Sequence, residues 1–168
     1  GSEMCIRDRA YRLQLDKNEL THPILKGNIT SIYQDSEGEL WIGSWEEGLH
    51  HVKTDGTIEI FEYDAKNPYS ISSNFVRACC EDNLGNIWIG TFNGLNRYDK
   101  STGLFQNHTA SDAQSDGLTH SSIWCIVKDN QGTLWLGTYF GGVNYFNPEY
   151  EIYSLSLIHI SEPTRPIS

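Results

Sequence analysis

The sequence predicts an all-β chain, a β-propeller fragment of about three four-stranded blades plus a remnant strand, left as an open arc. Trp41, Trp88 and Trp135 recur 47 residues apart (88 − 41 and 135 − 88), and a fixed period of about 40–50 residues marks propeller blades. The same spacing joins Asp35, Asp82 and Asp129, then Gly38, Gly85 and Gly132, then Gly43, Gly90 and Gly137. Composition agrees: 12% aromatic residues, 15 glycines and one Met, with no long run at helical spacing. Three blades are too few to close a ring.

The two ends break the repeat. Residues 1–9, GSEMCIRDR, can be written as the DNA GGC TCG GAG ATG TGT ATA AGA GAC AG. The reverse complement translates as LSLIHISEP, which is residues 155–163. Both ends thus resemble a translated mosaic-end adapter of transposon-based sequencing libraries. Segments of that kind are excluded from fold reasoning, so 1–9 and 155–168 are set aside as adapter-derived. Residues 10–154 are then expected to be an internal piece of a longer protein, and the net charge of the whole, −10, is unaffected.

Within that piece, 10–27 reads as the end of a preceding blade and its linker, with an outer strand and exit loop over 10–23. Blades follow at 28–73 and 74–120, and a truncated one at 121–154. In the first, ITSIYQ, ELWIG, LHHVK and TIEIFE are strand runs separated by Gly- and Asp-bearing turns, as hairpins require. The turns DSEG, DNLG and DNQG place Asp first, where its carboxylate can accept backbone N–H groups, and Gly last. In ELWIG, alternation sends Leu40 and Ile42 to one face and Trp41 and Gly43 to the other. Blades stack face to face, so both faces can be apolar. Trp41 is expected to fill the gap between blades, and Gly43 to leave room for a close approach.

Acidic charge without a basic stripe disfavours a nucleic-acid partner, and none is expected. No run reaches the ~18 apolar residues of a membrane span, so no direct membrane contact is expected. Cys79, Cys80 and Cys125 read as small core residues, since neighbours on a strand make a poor disulfide and a zinc site needs more ligands. His50 and His51 face opposite ways and read as packing or surface groups. No metal and no cofactor is called for.

The candidate ligand residues lie in the loops between the second and third strands, SWEEG, TFNG and TYFGG. Trp45, Phe92 and Tyr139 form a column four residues after each repeat Trp, flanked by Glu46, Glu47 and Asn93. Propeller geometry brings these loops to the rim where inner strands start, which adds Arg77 and Trp124, aligned with Thr30. Apolar rings with a few placed polar groups suit a small-molecule site, here one on which a sugar can stack. The alternative is that these rings only cap the space between blades.

The pattern N-x-x-x-I-x-x-D-x-x-G-x-L-W-I-G-T-x-x-G-L-x-x-Y, seen in NFVRACCEDNLGNIWIGTFNGLNRYD, and the linker YDAKNPYSISSN resemble the two-component regulator propeller repeat. That resemblance implies the extracytoplasmic sensor propeller of a Bacteroidetes hybrid histidine kinase, in the periplasm, detecting glycan-derived oligosaccharides. Its partners would be the remaining blades of the parent chain and, for the parent, a second copy in a homodimer. Kinase motifs have no counterpart here, so the fragment itself is expected not to be an enzyme. A propeller lyase or glycoside hydrolase, with Glu46 and Glu47 as acid and base, and a pure protein-interaction scaffold are the alternatives. The turn before each Trp resembles the sialidase Asp-box but carries Ser36, Asn83 and Asn130 where that motif has Asp.

Overall fold

A computed structural model describes the backbone of residues 2–6, 9–14, 19–110, 117–150 and 158–160, and the side chains of 24–110 and 117–150. Every regular element among them is a strand. Three antiparallel sheets of four strands follow the repeat: β4 (Ile29–Gln34), β5 (Leu40–Ser44), β6 (Leu49–Val52) and β7 (Ile58–Phe61); β8 (Val76–Glu81), β9 (Ile87–Thr91), β10 (Gly94–Asp99) and β11 (Leu104–His108); β12 (Ile123–Lys128), β13 (Leu134–Thr138), β14 (Val143–Phe146) and β15 (Ile158–Ile160). Each is a meander, first strand to fourth. Ahead of them, β1 (Ser2–Ile6), β2 (Arg9–Gln14) and β3 (Glu19–Lys26) make a three-stranded sheet. The first strands adjoin in series, β1 against β4, β4 against β8, and β8 against β12, which is the expected arc.

The preceding element is larger than the remnant strand that the sequence predicts, because 9–14 and 19–26 pair as a hairpin and 2–6 adds a third strand. At the other end, 158–160 completes the last sheet. Both segments fall in the stretches set aside as adapter-derived. An unpaired sheet edge accepts any β-prone segment through backbone groups alone, so their pairing follows from local sequence whatever the origin of the DNA.

Packing between blades follows strand alternation. Trp41, Leu49, Tyr33 and Phe61 of the first blade meet Val76, Cys79, Ile89, Tyr98 and Phe105 of the second in one core. Cys80, Trp88 and Leu95 of the second meet Leu134, Leu136 and Phe146 of the third in another. Leu40, Ile42 and Val52 turn the opposite way, into a core shared with Leu25 of β3. The two neighbouring cysteines therefore belong to different cores, and burial pushes the Cys79 thiol up to about 12. Cys125 departs from expectation and is exposed. It aligns with Ala78, which is buried, and among the described residues no further blade covers β12.

The repeat Asp does more than close its turn. Asp35 Oδ1 accepts the N–H groups of Glu37 (3.0 Å) and Glu39 (2.9 Å), while Oδ2 accepts the Trp41 indole N–H at 2.9 Å. Asp82 repeats this with Leu84, Asn86 and Trp88, and Asp129 with Gln131, Thr133 and Trp135. One carboxylate thus satisfies two turn amides and a buried indole, groups costly to leave unpaired. The six-residue Asp-to-Trp interval was the available sequence signal.

Candidate functional site

In every repeat the loop after the second strand is tied to the residue just before the inner strand. Trp45 N–H donates to Asn28 C=O at 2.9 Å, Phe92 N–H to Phe75 C=O at 2.9 Å, and Tyr139 N–H to Ser122 C=O at 3.0 Å. These bonds hold the ring-bearing loops and the inner-strand starts on one rim. The inner strands are bulged at the same place: pairing with the second strand slips between Ile29 and Ser31, between Val76 and Ala78, and between Ile123 and Cys125. The residues passed over are Thr30, Arg77 and Trp124. A bulge frees one residue from the ladder and re-aims its side chain, so the column that varies in sequence is the column the backbone turns toward the rim.

The result is a belt of rings across three blades. Trp45 meets Phe75 edge-on at 5.4 Å, Phe75 lies 6.1 Å from Phe92, and Trp124 lies 5.7 Å from Tyr139. Arg77 joins them: its guanidinium sits 3.7 Å from the Trp124 ring centroid, 5.0 Å from Trp45 and 5.5 Å from Phe92. Phe92 is 53% exposed, Trp124 47% and Tyr139 46%, against 0% for Trp41 and 2% for Trp88. Phe92, Trp124 and Tyr139 face solvent and Trp45 and Phe75 are partly covered, whereas the repeat residues Trp41 and Trp88 are core.

Of the sequence-stated candidates, Trp45, Arg77, Phe92, Trp124 and Tyr139 come together. Glu46, Glu47 and Asn93 are exposed in the same loops, but none bonds to Arg77; the Glu47 carboxylate instead lies where a Cβ on Gly27 would sit, 2.6 Å away. Phe75 and Phe140 were missed. Phe140 is 87% exposed, stacks edge-on to Tyr139 at 4.3 Å, and holds φ at +127°, a conformation that bulky residues rarely adopt and that concentrates at functional sites. The adjoining glycines of TYFGG were its only sequence signal.

His50 and His51 are both buried, so they are packing groups. His51 stacks on Trp41 with ring centroids 3.9 Å apart, and its Nε2 lies 2.6 Å from Glu39 Oε2. On the opposite rim the carboxylates of Asp35, Glu37 and Glu39 cluster. Lys100 Nζ of the second blade bonds Asp35 at 2.9 Å and Glu37 at 2.7 Å, and Glu81 takes Ser36 N–H and O–H at 2.7 and 2.8 Å. This cluster is a latch between blades. A separate recess of about 400 Å³ opens between the linker at Pro68 and Tyr69 and the outer strand β11, and none of the rim residues lines it.

Residues 23–46, 70–93 and 117–140 match the family model described as "Two component regulator propeller". Each matched window closes on the rim loop. No curated protein sequence matches the chain. Among solved structures, the extracellular domain of a hybrid two-component system of B. thetaiotaomicron is 19% identical with a TM-score of 0.47, covering 85% of this chain and 25% of that one. A virginiamycin B lyase from Staphylococcus aureus is 17% identical with a TM-score of 0.58, covering 83% and 48%. PorZ, a surface component of the type-IX secretion system of Porphyromonas gingivalis, is 18% identical with a TM-score of 0.57, covering 95% and 27%. The chain spans a quarter of the length of that hybrid two-component domain and about half that of the lyase. No helix among the described residues is long and apolar enough to cross a membrane.

Proposed function

We propose that the chain, whose residues 23–46, 70–93 and 117–140 match the two-component regulator propeller model, is part of the ligand-sensing propeller of a hybrid two-component sensor. Its ligand is a glycan-derived oligosaccharide, bound on the rim and signalled to a kinase outside this chain. The observation that carries the reading is the belt from Trp45 to Tyr139, in which Phe92, Trp124 and Tyr139 are about half exposed and the ring-bearing loops are held by backbone bonds repeated in each blade. The C–H face of a pyranose stacks on such rings, while exposed Glu46, Glu47 and Asn93 offer acceptors and an amide for hydroxyl groups. The reading places the rim in the periplasm, with the remaining blades of a longer parent chain closing the ring and a homodimer of the parent carrying the signal. The segments 1–9 and 155–168 then mark where adapter DNA was joined.

Replacing Trp45, Phe92 or Tyr139 by Ala in the ring completed by its missing blades tests this. Oligosaccharide affinity should fall about tenfold or more per ring, in line with about 1–3 kcal/mol for a stacking aromatic, while the thermal midpoint stays nearly unchanged. Loss of folding with no separable loss of binding returns these rings to the core.

A further inference from the structure

We propose that Arg77 is the anion-binding residue of this rim, so that the oligosaccharide bound there carries a carboxylate or sulfate group beside its stacking face. The inference rests on the reading of the rim as a sugar platform and adds the chemical class of the sugar. In a chain of net charge −10, a cation would ordinarily be met by a carboxylate. Lys100 is met by three. Arg77 is met by none: no hydrogen bond or ion pair reaches it among the described residues, and its Nε and Nη1 are shielded from water without a partner. Nη2 is not among the shielded atoms.

The surroundings keep it that way. Trp45, Phe92 and Trp124 surround the guanidinium, and their faces offset part of the desolvation of a charge. They cannot replace a counter-ion, because a cation taken from water stays costly until an anion or full hydrogen bonding meets it. Burial lowers the Arg77 pKa, and the opposing influence is the Tyr139 hydroxyl rather than any carboxylate. The bulge between Val76 and Ala78 is what places this side chain among the rings. In the equivalent bulges the residue is Thr30, which donates to Val76 C=O, or Trp124, so the charge belongs to the middle blade alone. Planar N–H donors framed by rings match a planar carboxylate on a sugar ring, and a sulfate oxygen by the same donors.

The test uses the same completed ring labelled with ¹⁵N at its tryptophans, and reads the indole signals assigned to the five of this chain. The indoles of Trp41, Trp88 and Trp135, bonded to aspartates, report folding, and those of Trp45 and Trp124 report the rim. The probes are α-1,4-galacturonate trimer, the uncharged galactose trimer of the same linkage, and that trimer sulfated at C6. The acids should move the Trp45 and Trp124 signals and bind about ten- to a hundredfold more tightly than the neutral trimer, the range of a charge-assisted hydrogen bond. Arg77→Gln should abolish the preference, so that within that variant the acids and the neutral trimer bind with equal affinity, and whichever acid binds more tightly to the unaltered protein identifies the group.

Equal affinity for all three probes, unchanged by Arg77→Gln, overturns the role of Arg77 and leaves the sugar platform standing. Silence of Trp45 and Trp124 toward every probe, with the three core indoles in their folded positions, overturns the platform and the anion site together. Should Arg77→Gln displace the core indoles, Arg77→Lys and a salt titration of the unaltered ring decide. Acid binding that does not weaken between about 50 and 300 mM salt, where screening of a single exposed ion pair grows, overturns the proposal.

Discussion

At the residue scale the most consequential group is the repeat aspartate. Asp82 is 3% exposed and holds two turn amides and the Trp88 indole at once. Asp82→Ala leaves these donors without an acceptor and should cost about 2–4 kcal/mol, measurable by urea denaturation. Titration gives a second check. Burial opposes the charge of Asp35, but the Trp41 indole, Lys100 and the Glu39 amide outweigh it and hold its carboxyl below the ordinary value. Its contribution to stability is therefore complete above the pKa of an unfolded aspartate and is lost as pH falls through the lower folded value. His108 acts at higher pH. Burial, with Arg97 nearby, pushes its pKa from 6.5 to about 4. Only the unfolded chain takes up that proton in between, so stability should decline from about pH 6.5 toward 4, and His108→Asn should flatten the decline. A pH profile of the denaturation midpoint unchanged by that substitution refutes the assignment.

The elements are spaced by their glycines. A Cβ on Gly90 would lie 2.6 Å from Cγ2 and 3.0 Å from Cβ of Ile123 in the next blade, and one on Gly43 would lie 2.8 Å from Cγ1 of Val76. These contacts are to β-branched side chains on inner strands, which cannot swing away. On Gly137 the added atom would meet only Cys125 Sγ, at 2.5 Å, and that cysteine is exposed and free to turn. Gly90→Ala and Gly43→Ala should each cost about 1–3 kcal/mol by forcing blades apart, and Gly137→Ala clearly less. Equal losses at all three positions would show that the glycines serve strand geometry and not the approach of blades. The third strands add a second lock. Asn96 binds the Ser72 N–H at 2.9 Å and its hydroxyl at 2.8 Å, and Asn144 takes the Thr119 hydroxyl at 2.8 Å, fixing each incoming linker before its inner strand begins.

For the whole molecule, the decisive feature is an arc with a bare end. Cys80 is 5% exposed between the second and third blades, whereas Val127, one repeat later, is 58% exposed. Trp41 packs on Tyr98 of the next blade at 5.2 Å and Trp88 on Phe146 at 4.8 Å, while among the described residues the ring stacked on Trp135 is Tyr145 of its own blade, at 4.9 Å. Apolar faces left in water drive association. The isolated chain should self-associate at micromolar concentration and melt without a sharp reversible transition, and Val127→Lys should reduce the association without disturbing the other blades. A monomer with a sharp, reversible melt, seen by sedimentation and calorimetry, would contradict this. Long-read sequencing of the source DNA should join residues 10–154 to further repeats on both sides.

Sequence alone determined the period, the four-strand blade, the core role of Trp41 and Trp88 and the rim column of Trp45, Phe92 and Tyr139, because repetition exposes positions held by backbone geometry and alternation sorts them between faces. It did not determine the bond from each aspartate to its tryptophan or the exposure of Cys125, because both depend on what an adjacent surface supplies. Nor could it show that Arg77 stands among three rings with no counter-charge among the described residues. That was decided by a one-residue bulge in β8, by the loop of the preceding blade that carries Trp45 and by the bulge of β12 that carries Trp124, contacts between residues 32 to 47 positions apart that no local pattern encodes.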